Sequence, residues 1–144
     1  FESYIAAQIK KMLCSSDYAL STQDKTYHLF DEPRKFLMKP DIVITRKSDG
    51  CIFVMDTKWK VLSESKSNYG ISQADMYQMY AYQKKYDAEN VTLLYPKTDQ
   101  VQAENIEFRE IYDDGVVVRV RFVDLFDIQN SLASLQAELL TKEI

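Results

Sequence analysis

The chain has 144 residues, a length that fits one domain and buries roughly two thirds of its unfolded surface on folding. Hydrophobic residues make up 46% and charged residues 28%, with only 3 Gly and 3 Pro, which excludes collagen-like, linker and disordered classes. Its 18 Lys and Arg against 22 Asp and Glu leave a net charge of -4, which taken whole argues against a strongly basic nucleic-acid binder.

Residues 2–13 place Tyr4/Ile5, Ile9 and Met12/Leu13 at helical spacing and predict an amphipathic helix. Residues 14–25 read as a polar loop. Strands are expected over 26–32 and 36–45, with Pro40 limiting pairing in the second. Arg46-Lys47-Ser48-Asp49-Gly50 reads as a turn, and 51–62 as a third strand rich in bulky apolar residues. After a loop at 63–70, Ser72 reads as an N-cap with Asp75 three positions on. The helix that follows runs to about Tyr86, with Ala74, Tyr77, Ala81 and either Met76 or Tyr80 toward the core. Residues 90–96 read as a buried strand stopped by Pro96. A hairpin, 106–112 and 116–122, turns at Asp113-Asp114-Gly115, and a helix over 124–143 closes the chain. The order is α-β-β-β-α-β, then a hairpin and a helix. The β-α-β crossover demands parallel strands, so the fold class is α/β, a mixed sheet flanked by helices.

No apolar run approaches the roughly 20 residues of a membrane span. The start, Phe1-Glu2-Ser3-Tyr4, lacks the basic and apolar regions of a signal peptide. It also lacks an initiator Met, so a fragment of a longer chain is expected. Cys14 and Cys51 share no motif spacing and, with the single His28, make no zinc site. Reduced thiols and a cytoplasmic setting are the expectation.

Asp56 is the anomaly. It follows Ile52-Phe53-Val54-Met55 inside an apolar strand, and a buried unpaired carboxylate is costly. Period-2 alternation puts Lys58 on the same face. The preceding strand also carries an acid in an apolar run, Asp41 before Ile42-Val43-Ile44. A turn centred on Ser48-Asp49 sets Asp41 opposite Asp56; one centred on Asp49-Gly50 sets it opposite Lys58. Either even turn gathers all three on one face. Two carboxylates repel unless a cation joins them, and hard oxygen ligands suit Mg²⁺. Asp41 and Asp56, with the Thr57 carbonyl, are the expected metal ligands. Lys58 is placed to orient water or stabilise charge on a phosphate.

Pro40-Asp41, fourteen residues, then Asp56-Thr57-Lys58 resembles the PD-(D/E)XK nuclease motif, and the element order is similar to that restriction-endonuclease-like core over about residues 1–96. Gln73-Ala74-Asp75-Met76-Tyr77 resembles the Q-x-x-x-Y motif of the RecB-like branch. With Asp-Thr-Lys-Trp-Lys and the following Gln-x-x-Ala-Tyr, the combination resembles the McrC family, nuclease subunits of modification-dependent restriction systems. That resemblance implies a Mg²⁺-dependent endonuclease acting on double-stranded DNA, with Mn²⁺ able to substitute. It implies that Glu2 joins the metal network and that Gln73 and Tyr77 support the active site or the DNA strand. It also implies a McrB-like AAA+ GTPase partner that reads the modified base. Oligomeric state is left open by the sequence, though cutting both strands suggests a dimer that brings two active sites together. The chain would then be the C-terminal nuclease domain of such a subunit. Trp59 and Lys60 are placed either to contact DNA or, for Trp59, to fill the core. Residues 97–144 lie outside the common core and either brace the sheet or form a dimer contact. The competing reading is an inactive nuclease-fold adaptor. No GxxxxGK[ST] is present, so no P-loop nucleotide hydrolysis is expected.

The charge balance is uneven along the chain. Residues 1–60 hold 10 basic and 8 acidic residues, whereas residues 99–144 hold 4 and 10. The deficit lies outside the catalytic unit, and weak, salt-sensitive DNA binding is expected of the chain alone.

Overall fold

The computed structural model describes residues 1–13 and 17–140; Cys14 and the last residues of the expected terminal helix lie outside them. In chain order the elements are α1 (Glu2–Met12), β1 (Tyr18–Thr22), β2 (His28–Asp31), β3 (Arg34–Leu37), β4 (Ile42–Arg46), β5 (Ile52–Thr57), α2 (Gln73–Tyr86), β6 (Asn90–Pro96), β7 (Ile106–Arg109), β8 (Val117–Val123) and α3 (Ile128–Leu135). A 3-10 turn spans Ser67–Gly70, and a π-helical turn, Gln136–Leu140, extends α3. Six strands form one mixed sheet in the order β1-β4-β5-β6-β8-β7, and β2 and β3 form a separate ribbon.

Alternation along the strands divides the core into two layers. Val43, Val54, Val91 and Leu93 pack under α2, which contributes Met79, Tyr82 and Tyr86. Ile42, Ile44, Phe53 and Met55 face Ile5 and Ile9 of α1 and Leu132 of α3. Each fully buried aliphatic side chain contributes about 1.5–3 kcal/mol. Ser72 caps α2 as expected, its hydroxyl accepting from the Asp75 N–H at 3.1 Å. The core face of α2 matches the sequence reading in part, with Met76 and Ala81 packed against the core. Met79, Tyr82 and Tyr86 are buried, while Ala74, Tyr77 and Tyr80 are exposed. The run is polar and aromatic on every side, so periodicity alone did not select the face.

The α-β-β-β-α-β order holds, but its first strand is a different segment. β1 lies within the stretch read as a polar loop and pairs antiparallel with β4. Its signal is weak because only Tyr18 and Leu20 pack against the core. Residues 28–31, read within the first strand, instead pair with 34–37, of which only 36 and 37 fall in the expected second strand. The third strand ends at Thr57 rather than at Leu62, and Trp59 and Val61 emerge exposed. The crossover through α2 makes β5 and β6 parallel, as expected.

The C-terminal hairpin forms, and β8 also pairs parallel with β6. Residues after 97 therefore brace the sheet. Arg121 is the central fastener of this region. It is 3% exposed and donates to Glu138 at 2.6 Å, Glu107 at 3.1 Å and the Ile106 carbonyl at 2.9 Å. Arg121→Met removes this partner from Glu138 and leaves Glu107 to Arg109 and Arg119. Loss of about 2–3 kcal/mol is expected, read as a lower urea midpoint with unchanged slope.

Candidate active site

The Arg46–Cys51 turn sets the geometry. Gly50 adopts φ +75° and donates to the Arg46 carbonyl at 2.7 Å, and Asp49 accepts from Arg46 and from the Cys51 N–H. A left-handed residue here favours glycine. This four-residue loop fixes the register Ile42↔Met55 and Val43↔Val54. One step further, Asp41 stands opposite Asp56, the first of the two arrangements expected. Pro40 has no N–H to extend the ladder, and Asp41 instead donates its backbone N–H to Asp56 Oδ1 at 3.0 Å.

Asp41 and Asp56 are 8% and 3% exposed. Asp41 Oδ2 accepts from the Thr57 N–H at 2.8 Å and from Thr57 Oγ1 at 3.0 Å. Thr57 is thus engaged through its amide and hydroxyl, which orient Asp41, beyond the carbonyl role expected of it. Asp41 Oδ1 accepts from Gln23 Nε2 at 3.0 Å, and the same amide donates to Glu2 Oε1. Glu2, at the start of α1, therefore meets Asp41 directly and is tied to it again by the shared Gln23 amide. Lys58 Nζ lies 2.8 Å from Asp56 Oδ2, 3.4 Å from Asp75 Oδ1 and 3.3 Å from Gln78 Oε1.

Burial pushes the Asp56 carboxyl up to about 6; the Lys58 hydrogen bond opposes this, and the Asp41 charge adds to it. For Lys58, burial acts downward, but the hydrogen bond and charge of Asp56, then Asp75, hold its pKa above the ordinary value. The Glu2 carboxyl is raised by its contact with Asp41, by burial and by the charges of Asp41 and Asp56.

Residues 1–96 match the family model described as "McrBC 5-methylcytosine restriction system component". The chain belongs to this McrBC component family. Among solved structures, it shares the fold of a chain in the refined half-complex from the tetradecameric assembly of Thermococcus gammatolerans McrB AAA+ hexamers with bound McrC. The TM-score is 0.65 at 18% identity over 94% of this chain. The match spans 32% of the length of that chain. No curated protein matches.

The segment matched to the McrBC family carries Glu2, Asp41, Asp56 and Lys58 and closes with β6. It also carries α2, where the sequence reading and the structure diverge. Gln73 and Tyr77 are exposed, Tyr77 at 66%, and flank Asp75. The α2 side chains that reach Lys58 are Asp75 and Gln78. Tyr82, four residues on, is buried on the same side, its hydroxyl held protonated by burial and by the charges of Asp56 and Asp41. Gln78-Met79-Tyr80-Ala81-Tyr82 has the Q-x-x-x-Y spacing too, so the sequence carried the signal twice. Only the helix rotation decides which copy meets the site, Gln78 from the exposed side and Tyr82 from the core. Gln23 carried no motif, and Asp75 was read as a capping residue inside the Gln73–Tyr77 stretch rather than as a partner of Lys58.

Among the described residues, no three His, Cys, Asp or Glu side chains form a ready metal cluster. The donor chemistry nevertheless fits Mg²⁺, which is held by one or two carboxylates together with substrate phosphate oxygens. Asp41 and Asp56 supply two, in a place where anionic charge is costly. The Tyr95 hydroxyl is buried without a partner among the described residues. It lies near enough to Asp75 and Asp56 that, after burial, their charges raise its pKa.

Proposed function

We propose that this chain is the nuclease region of an McrBC-type restriction system, a PD-(D/E)XK fold that hydrolyses phosphodiester bonds of double-stranded DNA with Mg²⁺, or Mn²⁺ in its place. The observation that carries this reading is the convergence of Asp41, Asp56 and Lys58 on one sheet face. Asp41 and Asp56, with the Thr57 carbonyl and Glu2, would hold the ion. Bound there, Mg²⁺ supplies Lewis-acid charge neutralisation and a more acidic water. Thr57 and Gln23 fix the orientation of Asp41. Asp75 and Gln78 keep Lys58 in place when Asp56 is engaged elsewhere, so its ammonium stays available to orient the attacking water or to meet charge on the phosphate. Gln73 and Tyr77, exposed on α2, are suited to contact the DNA strand. Trp59, 71% exposed and ring-packed on Phe1 at 5.2 Å, is a DNA contact rather than core.

The partner in this reading is a McrB-like AAA+ GTPase, as in the solved McrB assembly with bound McrC that shares the fold. The setting is cytoplasmic; among the described residues, no helix is long and apolar enough to cross a membrane. Cutting both strands brings two such chains together.

Plasmid cleavage tests the proposal. Wild type with Mg²⁺, alone and with a McrB-like GTPase and GTP, is expected to give nicked and linear product, and Asp41→Asn none. Equal cleavage by both proteins would sink the assignment. Absence of cleavage in every arm would favour the adaptor reading.

A further inference from the structure

The β2–β3 ribbon stands outside the sheet and is exposed on both faces. An isolated two-stranded ribbon is marginal in water, yet this one shows Leu29, Phe30, Phe36 and Leu37 to solvent at 42–71%. Phe36 has φ +62°, a left-handed conformation that is strained for a bulky side chain. Strain of this kind persists where the surroundings hold it and clusters at functional positions. Here it sets the Phe36 ring edge-on to Phe30, centroids 6.1 Å apart. No burial of Phe36 offsets it.

The ribbon is firmly based. Tyr27 packs edge-on against Tyr86 at 4.7 Å, the Tyr86 hydroxyl donates to Asp24 at 2.6 Å, and Lys85 pairs with Asp31 at 3.0 Å. All three ties join the end of α2 to the ribbon or to the segment leading into it. Residues 25–39 carry four basic and two acidic side chains. Asp31 is matched by Lys85, and against the remaining Glu32 stand Lys25, Arg34, Lys35 and Lys39, which leave the ribbon with a net cationic surface. Leu37 and Asp41 are four residues apart, at most about 14 Å.

We infer that the ribbon is a duplex-DNA-contacting arm, with Arg34 and Lys35 on the phosphates and the Phe30–Phe36 pair against the groove. Charge decides the occupant. A protein partner would suit the exposed aromatics equally, but a cationic rim on a ribbon rooted at the acidic site fits a polyanion. The major groove of B-DNA, about 12 Å wide, admits a two-stranded ribbon. This inference rests on the DNA-directed reading above but not on cleavage itself.

Binding to a fluorescent 25-base-pair duplex in EDTA, by anisotropy across a salt series, tests it. Arg34→Ala/Lys35→Ala is expected to weaken binding about tenfold and to reduce the slope of log affinity against log salt by roughly 2. Phe36→Ser, with its melting temperature checked, is expected to weaken binding about 3- to 10-fold with the slope unchanged. Lys10→Ala/Lys11→Ala, at the exposed end of α1, is the control and should change little. Unaltered affinity in the ribbon variants, an equal loss in the control, or no duplex binding by wild type would each overturn the inference. Loss of binding in the ribbon variants alongside absent plasmid cleavage would sustain the arm and overturn the nuclease.

Discussion

Asp56→Asn is expected to abolish Mg²⁺-dependent cleavage, by roughly a thousandfold or more, while making the metal-free protein more stable at pH 7. The first effect is the loss of several kcal/mol of charge stabilisation that a held ion provides. The second follows from the carboxyl itself, pushed up to about 6 from 3.8, mainly by burial. A raised carboxyl binds its proton more tightly in the folded chain than in the unfolded one. Stability from this group is therefore present below about pH 4 and is lost as pH rises through 6. Two pKa units amount to about 3 kcal/mol. Asparagine keeps the acceptor for the Asp41 N–H but gives up the pairing with Lys58, so the net gain is about 1–2 kcal/mol, or roughly 3–6 °C for a chain of this size. Urea midpoints in EDTA should coincide for the two proteins near pH 4 and diverge toward pH 7. Mg²⁺ should stabilise only the wild type. A variant less stable at every pH, or one that still cuts, would contradict this account of the site.

The acidic pair was legible because it depends on little: two acids in apolar strands and a loop with an even number of residues. Lys58 followed from strand alternation alone. Glu2 was reachable only through the family resemblance. It touches Asp41 and shares the Gln23 amide with it, and the place of Gln23 depends on β1, a strand with two half-buried anchors and otherwise polar residues. The α2 contacts were half legible. The Ser72 cap marked where the helix starts, but a helix with tyrosines at 77, 80, 82 and 86 gives no single apolar stripe, so the rotation that turns Asp75 and Gln78 toward Lys58 was hidden. The ribbon was misread for a related reason. Phe36-Leu37-Met38 looks like the entry of a core strand, and only tertiary packing reveals that Met38 alone is buried. Apolar runs report burial, and this one departs from the pattern because its ribbon stands outside the main sheet.

Lys58→Met is expected to do the reverse of Asp56→Asn to stability and the same to activity. Removing the ammonium takes away the Asp56 contact at 2.8 Å and leaves a carboxylate 3% exposed beside Asp41 with no cation. Breaking a buried pair by deleting one member is strongly destabilising. Lys58 keeps 25% of its side chain exposed, which tempers the loss to about 1–2 kcal/mol at pH 7 in EDTA. Below pH 4 the loss should vanish, because Asp56 is then protonated. Mg²⁺ should restore the lost stability and, freed of a competing ammonium, should bind more tightly by calorimetry than it does to wild type. Cleavage should remain down by about 10²–10³-fold, the cost of removing one positioned charge from a reacting centre. A site that binds its ion better and cuts worse separates the two duties assigned here: the aspartates hold the ion, and Lys58 serves the reacting phosphate. If Lys58→Met instead weakened Mg²⁺ binding and left cleavage intact, the ammonium would be only a structural counter-ion for Asp56.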